Sequence, residues 1–121
     1  MYYISVESHF DAAHFLRGYA GQCENLHGHR YKVLVKLSAS KVNDIGLAYD
    51  FRDLKEALKP LLERYDHTLL NDVQPFDKIN PSAENIARTI YEELKPKIEA
   101  AALESVTVWE SPESYAEYRA D

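Results

Sequence analysis

From His29 onward a large apolar residue stands at every second position, at Tyr31, Val33, Val35 and Leu37, with Arg30, Lys32, Lys36 and Ser38 mostly taking the positions between. A two-residue period belongs to a strand with one buried face, and that face must be covered by something else in the chain. The strand opens on His27-Gly28-His29. Side chains at i and i+2 leave a strand on the same side, so both imidazoles share the face of Tyr31 and Val33. Gly28 removes the side chain between them and eases close approach.

The covering elements are legible further on. Phe51, Leu54, Leu58, Leu61, Leu62 and Tyr65 recur at three- and four-residue spacing after Asp50, a good N-cap, and predict a first helix. Ile86, Ile90 and Leu94, with Ala87 and Tyr91 alongside, predict a second, begun by Ser82 after Pro81 and ended at Lys95-Pro96. Between them, Asp66 to Asn80 reads as an ordered loop. Tyr2 to Glu7 is rich in strand formers, and Phe10-Asp11-Ala12-Ala13-His14 closes that first strand. Val106 to Glu110 and Tyr115 to Arg119 read as a closing pair across Ser111-Pro112-Glu113-Ser114. The order is ββααββ, an α+β domain with both helices on one face of an antiparallel sheet.

At 121 residues, without repeats or a linker-like stretch, residues 1–121 form a single domain. A formal net charge of −6 and no basic run longer than two residues argue against a nucleic-acid partner, whose phosphates demand many cations. No stretch approaches the roughly 20 apolar residues of a membrane span. The single cysteine allows no internal disulfide and fits a reducing, cytoplasmic setting.

Four histidines and one cysteine carry the chemistry. His-x-His alone is more often a hydrogen-bonded structural pair than half a metal site. If the first two strands pair, His14 arrives beside His27 and His29, and three imidazoles with one open position is the pattern of a catalytic zinc. Cys23 lies in the polar loop Gly21-Gln22-Cys23-Glu24-Asn25, where a nearby cation would favour its thiolate as nucleophile or base; a fourth metal ligand is the competing reading. Asp66-His67 follows the first helix and reads either as a carboxylate-oriented base or as a histidine favoured by the helix C-terminus. Glu110 continues the Val106 and Val108 face, so its carboxylate points inward and needs either protein donors or a ligand's N–H groups. His9 reads as an edge histidine.

Phe-Asp-Ala-Ala-His (10–14), Cys-Glu-Asn-Leu-His-Gly-His (23–29), Tyr-Asp-Phe-Arg-Asp-Leu-Lys (49–55), Asp66-His67, Asn80-Pro81-Ser82-Ala83-Glu84-Asn85 and Trp109-Glu110 together resemble the 6-pyruvoyl-tetrahydropterin synthase superfamily over nearly the whole chain. Three residues between Cys23 and His27 resemble the 6-carboxy-tetrahydropterin synthases of queuosine biosynthesis within it; the pyruvoyl-forming relatives usually have a longer spacer. The resemblance implies a T-fold, a four-stranded antiparallel sheet with two helices on one face, closing between subunits into a trimeric barrel and stacking into a homohexamer (a dimer of trimers) with intersubunit active sites. It implies Zn2+ on His14, His27 and His29, with Cys23 as base assisted by Asp66 and His67. Glu110 then anchors the pterin N–H groups, and the Ser82-Ala83-Glu84 turn contributes to the pocket, Ser82 standing where the family often has Thr.

The implied reaction converts 7,8-dihydroneopterin triphosphate to 6-carboxy-tetrahydropterin, acetaldehyde and triphosphate. Arg17, Arg30 and Lys32 are candidates for holding the triphosphate. A 6-pyruvoyl-tetrahydropterin synthase is the alternative enzyme. A zinc-holding T-fold module without turnover is the non-catalytic alternative, and the presence of both Cys23 and His67 counts against it.

Overall fold

A computed structural model describes residues 1–18 and 25–121. The elements are β1 (Tyr2–His14), β2 (His27–Ala39), α1 (Phe51–Tyr65), β3 (Thr68–Leu69), α2 (Ala83–Leu94), β4 (Ala102–Ser111) and β5 (Ser114–Tyr118). The expected ββααββ order is met except for one addition, the two-residue β3 between the helices, in the stretch Asp66 to Asn80 that was expected to be a loop. The sheet has five strands rather than four, in the order β3-β1-β2-β4-β5, because two residues after α1 pair in parallel with Ala12 and Ala13 at the outer side of β1. Every other pairing is antiparallel. Among the described residues no helix is long and apolar enough to cross a membrane.

The alternation in β2 is realised in full: Tyr31, Val33, Val35 and Leu37 are completely buried. They meet Val6, Phe10 and Ala12 of β1 and Val106 and Val108 of β4 under the two helices. Both helices begin as their sequences dictate. Asp50 accepts from the Arg52 N–H at 2.9 Å, and Ser82 Oγ accepts from the Asn85 N–H at 3.2 Å. Leu54, Leu58, Leu61, Leu62 and Tyr65 of α1 and Ile86, Ala87, Ile90, Tyr91 and Leu94 of α2 face the sheet. Phe51 departs from the expected stripe. It stands in the first turn, lining a shallow cleft with Tyr2, Ile4 and Leu47, and it is half exposed. An aromatic row of Phe10, Tyr31, Tyr65 and Phe76, with ring centroids 4.9–5.8 Å apart, fills the end of the core nearest the histidines.

Two features place the histidines and Glu110. β1 and β2 pair without interruption from Tyr2↔Ala39 to His14↔His27, so the far ends of both strands finish side by side. In β4, Trp109 pairs with Tyr115 and Ser111 with Ser114, which leaves Glu110 as the extra residue of a β-bulge.

Candidate metal centre and active site

The register brings the three imidazoles together. His14 lies directly opposite His27, and His29 opposite Ala12 two residues before His14. Facing residues of an antiparallel pair share one side of the sheet, with Cβ atoms about 4.5–5.5 Å apart. The rings accordingly meet edge to face, with centroids 4.6 Å apart for His14–His27 and His27–His29 and 5.2 Å for His14–His29. His14 is fully buried and His27 and His29 partly so. The bulge at Glu110 aims its carboxylate into the same place, with Oε1 3.0 Å from His14 Nε2 and 3.5 Å from His29 Nε2. The ligating atoms of all four residues lie within 4.8 Å of one another.

Hydrogen bonds orient two of the rings. His14 Nδ1 lies 2.8 Å from the Pro81 carbonyl, and His27 Nδ1 lies 2.7 Å from the Asn25 carbonyl. A carbonyl only accepts, so both Nδ1 atoms carry a proton and donate it, and in the neutral rings both Nε2 atoms present lone pairs. Those two atoms are 3.1 Å apart. The Nε2 of His29 is buried without a hydrogen-bond partner. Burial, as the largest effect, and the neighbouring His27 and His14 lower the His29 pKa against the pull of Glu110, which favours the neutral, ligating form. Lone pairs converging at 3.1 Å repel unless a cation lies between them. Metal–nitrogen bonds of about 2.0–2.1 Å in a tetrahedral site imply nitrogen separations of roughly 3.3 Å, so the residues fit such an ion.

Asp66 and His67 form a second group, around Asp11. Asp66 caps α1 with its own N–H bonded to the Leu62 carbonyl at 3.0 Å. His67 then turns sharply with φ +58°, in the left-handed region where histidine is among the better tolerated residues. That turn brings Nδ1 within 2.9 Å of Asp66 Oδ2. The other oxygen of Asp66 accepts the Asp11 N–H at 2.9 Å, and that bond, with His67 contributing, holds its carboxyl below the usual range. The expected dyad is thus a hydrogen-bonded pair with a largely exposed ring. Asp11 alternates with Ala12 and His14 along β1, so its side chain leaves the opposite face of the sheet from the histidine cluster. One chain does not bring the two groups together.

Cys23 lies outside the described residues. Ser82 caps α2, Ala83 is partly buried and Glu84 is exposed in the first helical turn. Arg30 is forked onto Asp11 by bonds of 3.0 and 3.2 Å. The Lys32 ammonium sits 4.2 Å from the centre of the Trp109 ring. The Arg17 guanidinium donates to the Phe76 carbonyl at 3.0 Å. All three cations are therefore engaged within the chain. An open cleft of about 560 Å³ is lined by His29, Arg30, Lys32, Trp109, Glu110 and Pro112, among others, so Glu110 faces both the histidines and solvent.

Sequence reasoning missed the supports. Asn71 receives the Phe15 N–H and donates to the Phe15 carbonyl, both at 3.0 Å, and Asn80 does the same for Arg17, both at 2.9 Å. Each amide copies a strand neighbour and fixes the chain leaving His14. Asn80-Pro81 stood in the family-like motif, and that is the one signal that could have singled the pair out.

Comparison with known proteins settles the lineage. A family model described as 6-pyruvoyl tetrahydropterin synthase matches residues 3–121. The chain belongs to this family. The 6-carboxy-5,6,7,8-tetrahydropterin synthase of Haemophilus influenzae is 35% identical, with 98% of this chain and 99% of that protein covered. The protein of the same name from Bacillus subtilis is 34% identical, with 96% and 84% covered. Among solved structures, the 6-pyruvoyl tetrahydropterin synthase of Caenorhabditis elegans superposes with a TM-score of 0.85 at 30% identity over 100% of this chain and 98% of that one. The architecture is the T-fold of the tetrahydropterin synthase family.

Proposed function

We propose that the chain is a 6-carboxy-5,6,7,8-tetrahydropterin synthase, a zinc-dependent lyase that acts on 7,8-dihydroneopterin triphosphate in queuosine biosynthesis in the cytoplasm. The observation that carries the reading is the convergence of three Nε2 atoms, two of them with lone pairs fixed by carbonyls, beside a cleft in a chain whose relatives bear that name. His14, His27 and His29 hold the zinc. When bound, zinc polarises an oxygen of the substrate side chain as a Lewis acid.

The chain's own groups handle recognition and protons. Glu110 accepts from the pterin amino and ring N–H groups, which selects a planar heterocycle with adjacent donors. The Ser82-Ala83-Glu84 turn contributes to the pocket. Cys23, four residues before His27, takes the carbon-bound proton as thiolate. His67, its Nδ1 held by ionised Asp66, keeps Nε2 free to return a proton. Because dyad and histidine cluster gather on opposite faces of β1, the complete site takes the dyad from a neighbouring copy. Open sheet edges suit that assembly. Among the described residues β1 is paired on its outer side only at Ala12 and Ala13, and β5 ends the sheet on the other side. A head-to-tail contact of edge on edge closes a ring, and the reading includes a homohexamer of two such trimers.

The second reading is a 6-pyruvoyl-tetrahydropterin synthase, favoured by the likeness to the nematode enzyme. The three-residue spacer between Cys23 and His27 supports the carboxy product instead. Incubation with 7,8-dihydroneopterin triphosphate, with acetaldehyde followed by a coupled dehydrogenase and the pterin identified by mass, separates them. Equal amounts of acetaldehyde and 6-carboxy-tetrahydropterin are expected. A 6-pyruvoyl pterin without acetaldehyde would overturn the assignment.

A further inference from the structure

The Asp66–His67 dyad hangs from the main chain of one residue of β1. The Asp11 N–H donates to Asp66 Oδ1 at 2.9 Å, and the Asp11 carbonyl accepts the His67 N–H at 2.6 Å. Both main-chain groups of Asp11 therefore point to the outer side of β1. Toward β2 the residue forms a non-hydrogen-bonded pair with Arg30, directly opposite, and facing side chains lie closest in such a pair. The two meet as a fork, Arg30 Nε on Asp11 Oδ1 at 3.0 Å and Nη2 on Oδ2 at 3.2 Å. The Asp11 carboxylate also stands beside the dyad, because ligating atoms of Asp11, Asp66 and His67 lie within 4.8 Å of one another. One imidazole thus has two carboxylates next to it, and Asp66 is the one that holds its Nδ1, at 2.9 Å. Hydrogen bonding by Arg30, foremost, keeps the Asp11 carboxyl below the usual carboxylate range, with His9 helping and the charge of Asp66 opposing. Both carboxylates are ionised.

We propose that Arg30 is a positioning residue for the dyad: its fork occupies both oxygens of Asp11 and leaves the imidazole of His67 to Asp66 alone. The proposal rests on the reading of Asp66 and His67 as the pair that returns a proton, and it adds the residue that keeps the pair exclusive. Asp11 serves the dyad through its main chain, while its side chain is a rival acceptor. A carboxylate has no proton to give, so an Asp11 released from Arg30 has the imidazole N–H as a nearby donor to capture. Capture would turn the ring away from Asp66 and, with it, the Nε2 that proton return uses. A guanidinium suits the task, since it is always charged and its planar fork meets both oxygens at once. The side chains of Arg30 and Asp11 are 66% and 38% exposed, and an exposed pair adds little to stability, so the contact is not there to hold the fold. Arg30 also lines the cleft beside Glu110. Direct contact with the substrate's triphosphate is therefore the competing role.

Two variants of the full chain separate these roles. Arg30→Gln removes the charge and the fork, and Asp11→Asn combined with Arg30→Gln removes the rival carboxylate as well, leaving the main-chain bonds of position 11 in place. With 7,8-dihydroneopterin triphosphate, Arg30→Gln should lower kcat by about 10-fold or more, since misplacing a reacting group by about 1 Å can cost about 100-fold, with KM within about 2-fold of the parent. The double variant should regain most of that loss, a non-additivity expected only of groups in one cluster. Independently of turnover, 15N spectra of the histidine rings, with His67 assigned by its absence from His67→Gln, should show displaced His67 nitrogen signals in Arg30→Gln and their return toward the parent in the double variant. Arg30→Lys, which keeps the charge without the fork, repeats the comparison if Arg30→Gln fails to fold. Unmoved His67 signals overturn the proposal whatever the turnover. A raised KM with unchanged kcat gives Arg30 to the triphosphate and overturns it too, as does a double variant no better than the single one. A parent without turnover overturns the functional reading, and the ring signals then decide the proposal by themselves.

Discussion

Substitution of His14 and of His29 by alanine separates metal loss from loss of structure, because the two residues are equal as ligands and unequal as parts of the fold. His14 is 1% exposed, packs edge to face against Tyr31 and its two fellow histidines, and donates to the Pro81 carbonyl. Removing a buried ring costs about 3–5 kcal/mol by analogy with Phe→Ala. Leaving a buried carbonyl without a donor adds about 1–3 kcal/mol. The side chain of His29 is 24% exposed, and its Nε2 bonds to nothing, so its removal in metal-free protein should cost no more than about 1–2 kcal/mol. Bound metal contributes separately, about 4 kcal/mol when free metal is a thousandfold above its Kd. The assay is urea unfolding at pH 7 and one protein concentration, with and without chelator, alongside bound zinc by mass spectrometry. Parent protein should lose about 4 kcal/mol to the chelator, and both variants should lose the chelator effect with their zinc. In chelator, His14→Ala should be the less stable variant by at least about 2 kcal/mol. Equal stabilities there would refute the packing argument, and a parent indifferent to chelator would refute the metal set.

Cys23→Ala should keep its zinc and lose turnover by about 100-fold or more, the scale of a lost general base; zinc loss like that of the histidine variants would make Cys23 a ligand instead. Light scattering at micromolar concentration should give six chain masses, and a monomer would refute closure through the open edges of β1 and β5. Asp66 has its pKa lowered on folding, chiefly by the Asp11 N–H, so its stabilisation is present above the unfolded value of about 3.9 and is lost as pH falls through the folded one. The stability gap between parent and Asp66→Ala in urea should therefore narrow on acidification below about pH 4, and a widening gap would contradict the hydrogen bonding described.

Much of this site was legible because it is written in side-chain alternation. His27 and His29 share a face by period alone, His14 meets them once β1 and β2 pair, and Glu110 follows Val106 and Val108. The rest is written in the backbone. The carbonyls of Pro81 and Asn25 orient two ligands, yet a main-chain oxygen has no residue signature. Pro81 lies 67 positions from the ring it holds. The Asp66–His67 bond depends on a positive φ at a residue other than glycine, which nothing in a lone sequence announces. β3 is two residues long, too short for any period to register, although it decides which strand stands at the sheet's edge.

The two asparagine clamps also bear on chemical ageing. Each amide offers an oxygen to an N–H and a nitrogen to a carbonyl, so conversion to aspartate would set a carboxylate oxygen against the carbonyl of Phe15 or Arg17. Deamidation of asparagine ordinarily begins when the N–H of the next residue attacks the side-chain carbonyl. After Asn80 comes Pro81, whose nitrogen carries no proton, and that route is closed. Asn71 precedes Asp72 and has no such protection from its neighbour, but it is 5% exposed and both ends of its amide are already bonded. The segment leaving His14 is thus tied down by two amides that resist hydrolysis for different reasons, one by the residue after it and one by burial.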